Sequence, residues 1–184
     1  MPIEIDFKSY WQEHDCAIGK NEIEQIELLQ NLIEKTRQQK STLWVLGNGG
    51  SATTASHAVV DFMKTTTLFG ASPVRTVCLT DSIAHLTAES NDRSFESALR
   101  NMLAVGLNSN DLVLFLSVSG SSENLIRAAD YCAEVGVEMA CIVGKKGKKI
   151  ASLVDVAVVI KSEDYQIVEN LQLVIIHWIV KKLQ

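Results

Sequence analysis

Two short stretches of this 184-residue chain carry residues suited to holding an anion. The first is Gly47-Asn48-Gly49-Gly50-Ser51, which follows the apolar run Leu43-Trp44-Val45-Leu46 and precedes a helical pattern from Ala52 to Met63. The second is Ser117-Val118-Ser119-Gly120-Ser121-Ser122, which follows the apolar run Leu112–Leu116 and precedes a helical pattern from Leu125 to about Val135. A glycine turn between a strand and a helix aims backbone N–H groups at one spot, and the helix dipole adds partial positive charge there. A tight turn without a ligand explains one such loop, and helix capping explains one or two of the serines. Four serine hydroxyls in six residues exceed what capping requires.

Neither loop has the GxxxxGK[ST] pattern or the GxGxxG pattern, so a nucleotide is not the favoured guest. Neutral hydroxyls and backbone donors suit the phosphate of a small sugar phosphate, with polar groups left to read the sugar.

The elements around these loops alternate. Short apolar runs at Leu43–Leu46, Val74–Leu79, Leu112–Leu116, Glu138–Val143 and Asp155–Ile160 read as strands, and helical patterns lie between them. Such alternation implies an α/β fold with a parallel sheet covered on both faces, and ligands in such sheets bind beyond the carboxyl ends of the strands. Both loops leave carboxyl ends, so they share one edge. Two helices precede the first strand, from Ile5 to about Ile18 and from an Asn21 cap, with Glu24 closing a capping box, to about Gln39. They lie outside any βαβ unit and need another surface, for which a subunit interface is a candidate. Ser90-Asn91-Asp92 reads as a turn, Gly136 as a helix terminator, and Glu163 or Asp164 as the start of the closing helix. No linker or repeat suggests a second domain, so residues 1–184 read as one.

Bulk properties narrow the class. A 47% hydrophobic fraction with only two prolines predicts a globular fold. The net charge of −5 argues against nucleic acid as a partner. The cluster Lys145, Lys146, Lys148 and Lys149 flanks glycine and reads as a solvated loop. Cys16, Cys78, Cys132 and Cys141 include no CxxC pair and read as free or buried thiols of a cytoplasmic protein. The acidic N-terminal stretch is unlike a signal peptide, and no apolar run approaches the roughly 20 residues of a membrane helix.

Gly47-Asn48-Gly49-Gly50-Ser51-Ala52, His57 six residues past Ser51, Asn91-Asp92 and the serine loop together resemble the sugar isomerase (SIS) domain, and within it most closely the bacterial phosphoheptose isomerases. The resemblance implies a flavodoxin-like three-layer sandwich with a five-stranded parallel sheet and two N-terminal helices, assembled as a homotetramer with residues 1–40 in a subunit interface. It implies that Ser117, Ser119 and Ser122 bind phosphate, with Val118 among the substrate-binding residues of the same loop, that Asn48, Gly49, Gly50 and Ser51 line the sugar, and that Asn91 and Asp92 contribute from a third loop. It also implies a divalent metal, commonly zinc, held by His57, Asp61, Glu169 and His177, with Asp61 and His177 as the acid–base pair and Asp61 and Glu169 also near substrate.

At i and i+4, His57 and Asp61 share a helix face. Glu169 and His177 stand roughly 12 Å apart in helix rise and must converge strongly to share one ion; the alternative is proton transfer without metal. His177 lies in an apolar segment, where a packed core histidine is the ordinary expectation. The chain departs from the family at Asp61 (usually Glu), Glu169 (usually Gln), Val118 (usually Thr) and Phe62-Met63-Lys64, where the family has Gly-Arg-Phe/Tyr.

The resulting expectation is a ketose–aldose isomerase converting sedoheptulose 7-phosphate into D-glycero-D-manno-heptose 7-phosphate through an enediol, for lipopolysaccharide, capsule or other surface-glycan synthesis. The alternatives are a non-catalytic phosphosugar-binding regulator or protein-interaction module, and an isomerase of a different sugar phosphate.

Overall fold

The computed structural model describes residues 5–184; residues 1–4, which hold most of the acidic N-terminal stretch, lie outside the described part. Five strands form one sheet: β1 (Thr42–Gly47), β2 (Arg75–Cys78), β3 (Leu112–Ser117), β4 (Glu138–Gly144) and β5 (Val156–Ile160). Their order is β2-β1-β3-β4-β5 and every pairing is parallel. This is the flavodoxin-like order, whose switch point falls between β1 and β3.

Among the described residues eight α-helices surround the sheet: α1 (Phe7–Ala17), α2 (Lys20–Gln38), α3 (Gly50–Met63), α4 (Ile83–Asp92), α5 (Phe95–Ala104), α6 (Glu123–Val135), α7 (Lys148–Ala151) and α8 (Tyr165–Leu183). The central strands are mostly apolar because both faces are covered, while the edge strand β2 opens with Arg75 and Thr76. On β3, Leu112, Leu114 and Leu116 face a core built with α2, α3 and α8. Val113 and Phe115 point the other way, into a core built with α5 and α6. Among the described residues no helix is long and apolar enough to cross a membrane.

The amino-terminal edge of the sheet is fastened by one buried acid. Asp111 accepts from the Thr42 amide at 2.9 Å, the Trp44 indole at 2.9 Å and the Asn108 amide at 3.0 Å. It fixes where β1 and β3 begin, and hence where they end.

Three boundaries differ from the sequence reading. Helix α2 starts at Lys20 with Gly19 as its cap, so Asn21 is already inside it. The capping carboxylate is that of Glu22, which accepts from the Gly19 amide at 2.8 Å and pairs with Lys161 at 2.7 Å. Lys161 directly follows β5, 139 residues away along the chain, and local capping rules contain nothing about it. Helix α4 continues through Ser90-Asn91-Asp92, read above as a turn. Helix α3 starts at Gly50 rather than Ala52, with Gly49 at φ +55° as its cap, a left-handed conformation that favours glycine. The other expectations hold closely: Gly136 ends α6 at φ +75°, and Asp164 caps α8 by accepting from the Ile167 amide at 3.0 Å.

Candidate active site

Strands β1 and β3 are neighbours, so the glycine loop and the serine loop leave the sheet side by side at the switch point. Two asparagines tie the loops together. Asn48 Nδ2 donates to Asn124 Oδ1 at 2.9 Å, and Asn124 Nδ2 donates back to Asn48 Oδ1 at 2.9 Å. The serine loop is rigid: Ser117 Oγ accepts from the Gly120 amide at 3.0 Å, and Gly120, at φ +59°, packs directly on Gly147 of the β4–α7 loop. A side chain at position 120 would collide with the Gly147 backbone.

Between the loops lies a pocket of about 120 Å³ lined by Asn48, Ser51, Ser117, Val118, Ser119, Ser122, Tyr165 and Glu169. Of the expected substrate residues, seven therefore line one pocket, and Gly50 lies directly against the Glu169 carboxylate. Asn91 and Asp92 are placed elsewhere. They sit exposed on the last turn of α4, with Asn91 Nδ2 donating to Asp92 Oδ1 at 2.9 Å, and they line neither this pocket nor the histidine cluster. A larger cavity of about 850 Å³ opens at the opposite end of the sheet, beside Arg37, Arg75 and Lys182. It contains none of the candidate residues.

Helices α3 and α8 pack on each other and run in the same direction away from the pocket. Glu169 meets Gly50, Gln172 meets Ser51, and His177 meets Asp61 and His57. His57 Nε2 lies 3.3 Å and His177 Nε2 3.1 Å from Asp61 Oδ2, and the two imidazole nitrogens are 3.1 Å apart. Asp61 is buried, while both histidines reach solvent. Its Oδ1 accepts from Thr65 Oγ1 at 3.1 Å; its Oδ2 is buried with no hydrogen-bond partner among the described residues.

This donor set fits a divalent cation. Two imidazole nitrogens and a carboxylate oxygen all lie within 4.8 Å of one another, and an orphaned buried oxygen points among them. Nitrogens 3.1 Å apart cannot both present lone pairs without a proton or a cation between them. Three protein ligands leave a coordination position for water or substrate, as catalytic zinc sites do. Glu169, the fourth residue of the expected set, stands at the far end of the α3–α8 ladder and is outside this cluster.

The site therefore has two ends. From Ser51 to His57 along α3 is roughly 9 Å of rise, and from Glu169 to His177 along α8 roughly 12 Å. An anion held at the serine loop leaves a carbon chain free to extend toward a base and an acid. Thiol chemistry has no place here: burial pushes Cys132 and Cys141 up to about 12, so neither supplies a thiolate.

Three residues of the site escaped the sequence reading. Gln172 is fully buried; its Oε1 accepts from Ser51 Oγ at 3.1 Å and its Nε2 donates to the Ile142 carbonyl at 3.1 Å. The available signal was a polar residue inside the apolar run that begins at Leu171. Asn124 lies at the end of the serine loop, where it reads as part of a helix start. Tyr165 opens α8 and carried no signal.

Comparison with known proteins agrees with this geometry. The SIS domain family matches residues 7–144. The phosphoheptose isomerase of Thermodesulfovibrio yellowstonii is 31% identical over 145 residues, which cover 79% of this chain and 72% of that protein. The phosphoheptose isomerase of Helicobacter pylori strain Shi470 is 28% identical over 148 residues, covering 80% and 76%. The structure of the phosphoheptose isomerase from Neisseria gonorrhoeae superposes with a TM-score of 0.86 at 23% identity, over 97% of this chain and 95% of that one, and so shares the fold. A serine pocket at the β1/β3 switch point, a glycine loop that opens α3 and a match over most of the chain lead to one conclusion: this protein belongs to the SIS domain family.

Proposed function

We propose that the protein is an aldose–ketose isomerase acting on a sugar phosphate, with sedoheptulose 7-phosphate as substrate and D-glycero-D-manno-heptose 7-phosphate as product. The observation that carries this reading is the distance between the two ends of the site. A phosphate at Ser117, Ser119 and Ser122 and a reacting carbonyl at Asp61 and His177 require a chain that spans much of the α3–α8 ladder. A heptose phosphate is long enough to do so. The chain's similarity to phosphoheptose isomerases supports the same choice.

The chemistry needs few groups. Asp61 Oδ2, with no protein donor, takes the C1 proton of the ketose. His177, protonated at Nε2, gives a proton to the C2 oxygen, and an enediol forms. The proton held by Asp61 exchanges with solvent while the enediol is bound, Asp61 then delivers a proton to C2, and the C1 hydroxyl gives its proton back to His177, which leaves the aldehyde. The Thr65 hydroxyl, which donates to Asp61 Oδ1 at 3.1 Å, holds the carboxylate in place, and His57 Nε2 stands 3.3 Å from Oδ2. If zinc is bound, His57, Asp61 and His177 hold it, and it supplies charge to polarise the carbonyl oxygen. Asn48, Gly49 and Gly50 shape the wall beside the chain.

The assembly belongs to the same proposal. Phe7, Trp11, Ile23, Leu28, Val174 and Trp178 are exposed on α1, α2 and α8. These residues, most of them within residues 1–40 of a single domain spanning residues 1–184, would meet neighbouring subunits in a homotetramer. A cytoplasmic location suits free thiols and a phosphorylated substrate. The product would enter heptose synthesis for surface glycans.

Proton–deuterium exchange by NMR tests the reading. With sedoheptulose 7-phosphate in D2O, with and without zinc, deuterium should enter C2 of an aldoheptose phosphate. Binding without exchange under either condition would instead make the protein a phosphosugar sensor.

A further inference from the structure

The cavity of about 850 Å³ at the amino-terminal end of the sheet plays no part in the mechanism, yet its walls are held by specific bonds. Arg37, half-buried, joins three elements there. One guanidinium nitrogen donates to the Leu183 carbonyl at 2.9 Å and to the Ser72 carbonyl at 3.3 Å. The other lies 2.6 Å from the Glu34 carboxylate, which cancels the charge. The last turn of α8 and the loop before β2 are thereby fastened to α2.

Three further cations line the same cavity: Lys40 just after α2, Arg75 at the start of β2 and Lys182 in the last turn of α8. All three are exposed, and among the described residues none has a carboxylate partner. Lys182 has only the Trp178 ring, 6.0 Å from its Nζ. Singly, each has an ordinary explanation. Helix carboxyl ends favour cations, and charge on an edge strand deters pairing. Neither explains the backbone of Lys40. At φ +56° it is the one non-glycine residue in the left-handed region among the described residues. It holds the turn that closes α2, where its N–H donates to the Arg37 carbonyl at 3.0 Å and the Ser41 N–H to the Thr36 carbonyl at 3.1 Å. Glycine is the usual occupant of that position, and here a cation stands in its place.

Charge and size decide what the cavity takes. Helices α2, α3 and α8 all end beside it, and their carboxyl ends bring about −1.5 charges in all. Arg37 and the turn at Lys40 cap part of that. Three unpaired cations exceed it, so the cavity is positive in a chain of net charge −5. Its volume falls within the roughly 300–1,000 Å³ of small-molecule sites and far exceeds the need of a lone phosphate. Met63 and Pro73 add exposed apolar surface beside the cations.

We propose that this cavity is a second ligand site, for a small molecule that joins a diphosphate to a body with an apolar face, the chemistry of a nucleoside diphosphate. Lys40, Arg75 and Lys182 hold the diphosphate, and the body rests on Met63 and Pro73. The site shares no residue with the serine pocket or the histidine cluster, so it stands or falls apart from the isomerase reading.

Calorimetric titration with ADP, pyrophosphate, inorganic phosphate and adenosine tests it. ADP should bind more tightly than pyrophosphate, and pyrophosphate at least about 10-fold more tightly than inorganic phosphate, as a second charged group engages the cations. Adenosine should give no heat. Arg75→Gln with Lys182→Gln should weaken ADP binding at least about 10-fold, while Ser119→Ala with Ser122→Ala leaves it unchanged. Lys40→Gly removes a cation and relieves the left-handed backbone. Its melting temperature should equal or exceed that of the parent chain while ADP affinity falls about 3- to 10-fold, a combination that partial unfolding would not give. No ADP binding, ADP binding lost in the serine variant but kept in the Arg75, Lys182 variant, or inorganic phosphate bound as tightly as ADP overturns the site. Pyrophosphate bound as tightly as ADP overturns the nucleoside body, and unchanged affinity in Lys40→Gly overturns the role of Lys40.

Discussion

His57 Nε2 and His177 Nε2 lie 3.1 Å apart although 120 residues separate them, and Asp61 Oδ2 lies within 3.3 Å of both. The contact exists because α3 and α8 run side by side from the same edge of the sheet. Asp61 sits one turn beyond His57, and His177 two turns beyond Glu169. The cluster is thus the far end of a ladder whose near end is the serine pocket.

Asp61→Asn and His177→Gln should each lower kcat by roughly 10²- to 10⁴-fold, the usual contribution of a positioned acid or base. Sugar phosphate affinity, set at the other end of the ladder, should change little. Equilibrium dialysis against zinc should show about one ion per parent chain, and none in a His57→Ala, His177→Ala chain. Kinetics and dialysis together separate proton transfer from metal binding.

Gly50→Ala should act through a tertiary contact. Position 50 is helical and its φ is not in the left-handed region, so alanine fits the local backbone. Its Cβ would nevertheless meet the Glu169 carboxylate, the far end of a flexible side chain that can swing aside. Stability should therefore change by less than about 1 kcal/mol in denaturant unfolding, while the displaced carboxylate alters the serine pocket and shifts sugar phosphate affinity. A larger loss that Glu169→Ser in the same chain does not recover would show that the penalty lies elsewhere in the loop.

Asp111→Ala removes the acceptor of three donors where β1 and β3 begin. Leaving them without a partner should cost about 3 kcal/mol, read as a lower denaturant midpoint at an unchanged m-value. Since the two strands carry both loops, ligand affinity should fall with it.

Stability should depend on pH through Glu22. Burial alone would raise its pKa, but hydrogen bonds from Lys161 and from the Gly19 amide outweigh that and hold it below the ordinary 4.5. A depressed carboxyl stabilises the folded state above its unfolded-state pKa, and the contribution is lost as pH falls through the folded value. Glu22→Gln should therefore lower the melting temperature at pH 7, and the gap to the parent chain should close below about pH 4. A gap that persists at low pH would assign the loss to packing.

The sequence by itself determined the class of fold, because strands read as uninterrupted apolar runs only when helices cover both faces. Leu112–Leu116 and Leu43–Leu46 are such runs. It also marked the two glycine-bearing loops as candidates for holding an anion, because Gly49 and Gly120 occupy left-handed turns that a local pattern can reveal. It pointed to His57 and Asp61 as a pair because i and i+4 on a helix are neighbours whatever surrounds them. What only the tertiary structure decided depends on which element lies against which. The closing of α2 by Glu22 needed Lys161. The direction of the Ser51 proton needed Gln172 and, behind it, the Ile142 carbonyl. The placement of Glu169 at Gly50, and not with His57, Asp61 and His177, followed from the parallel packing of α3 and α8. Helical spacing states how far apart two residues on one helix lie, while the partner on a second helix is fixed by the sheet that holds both.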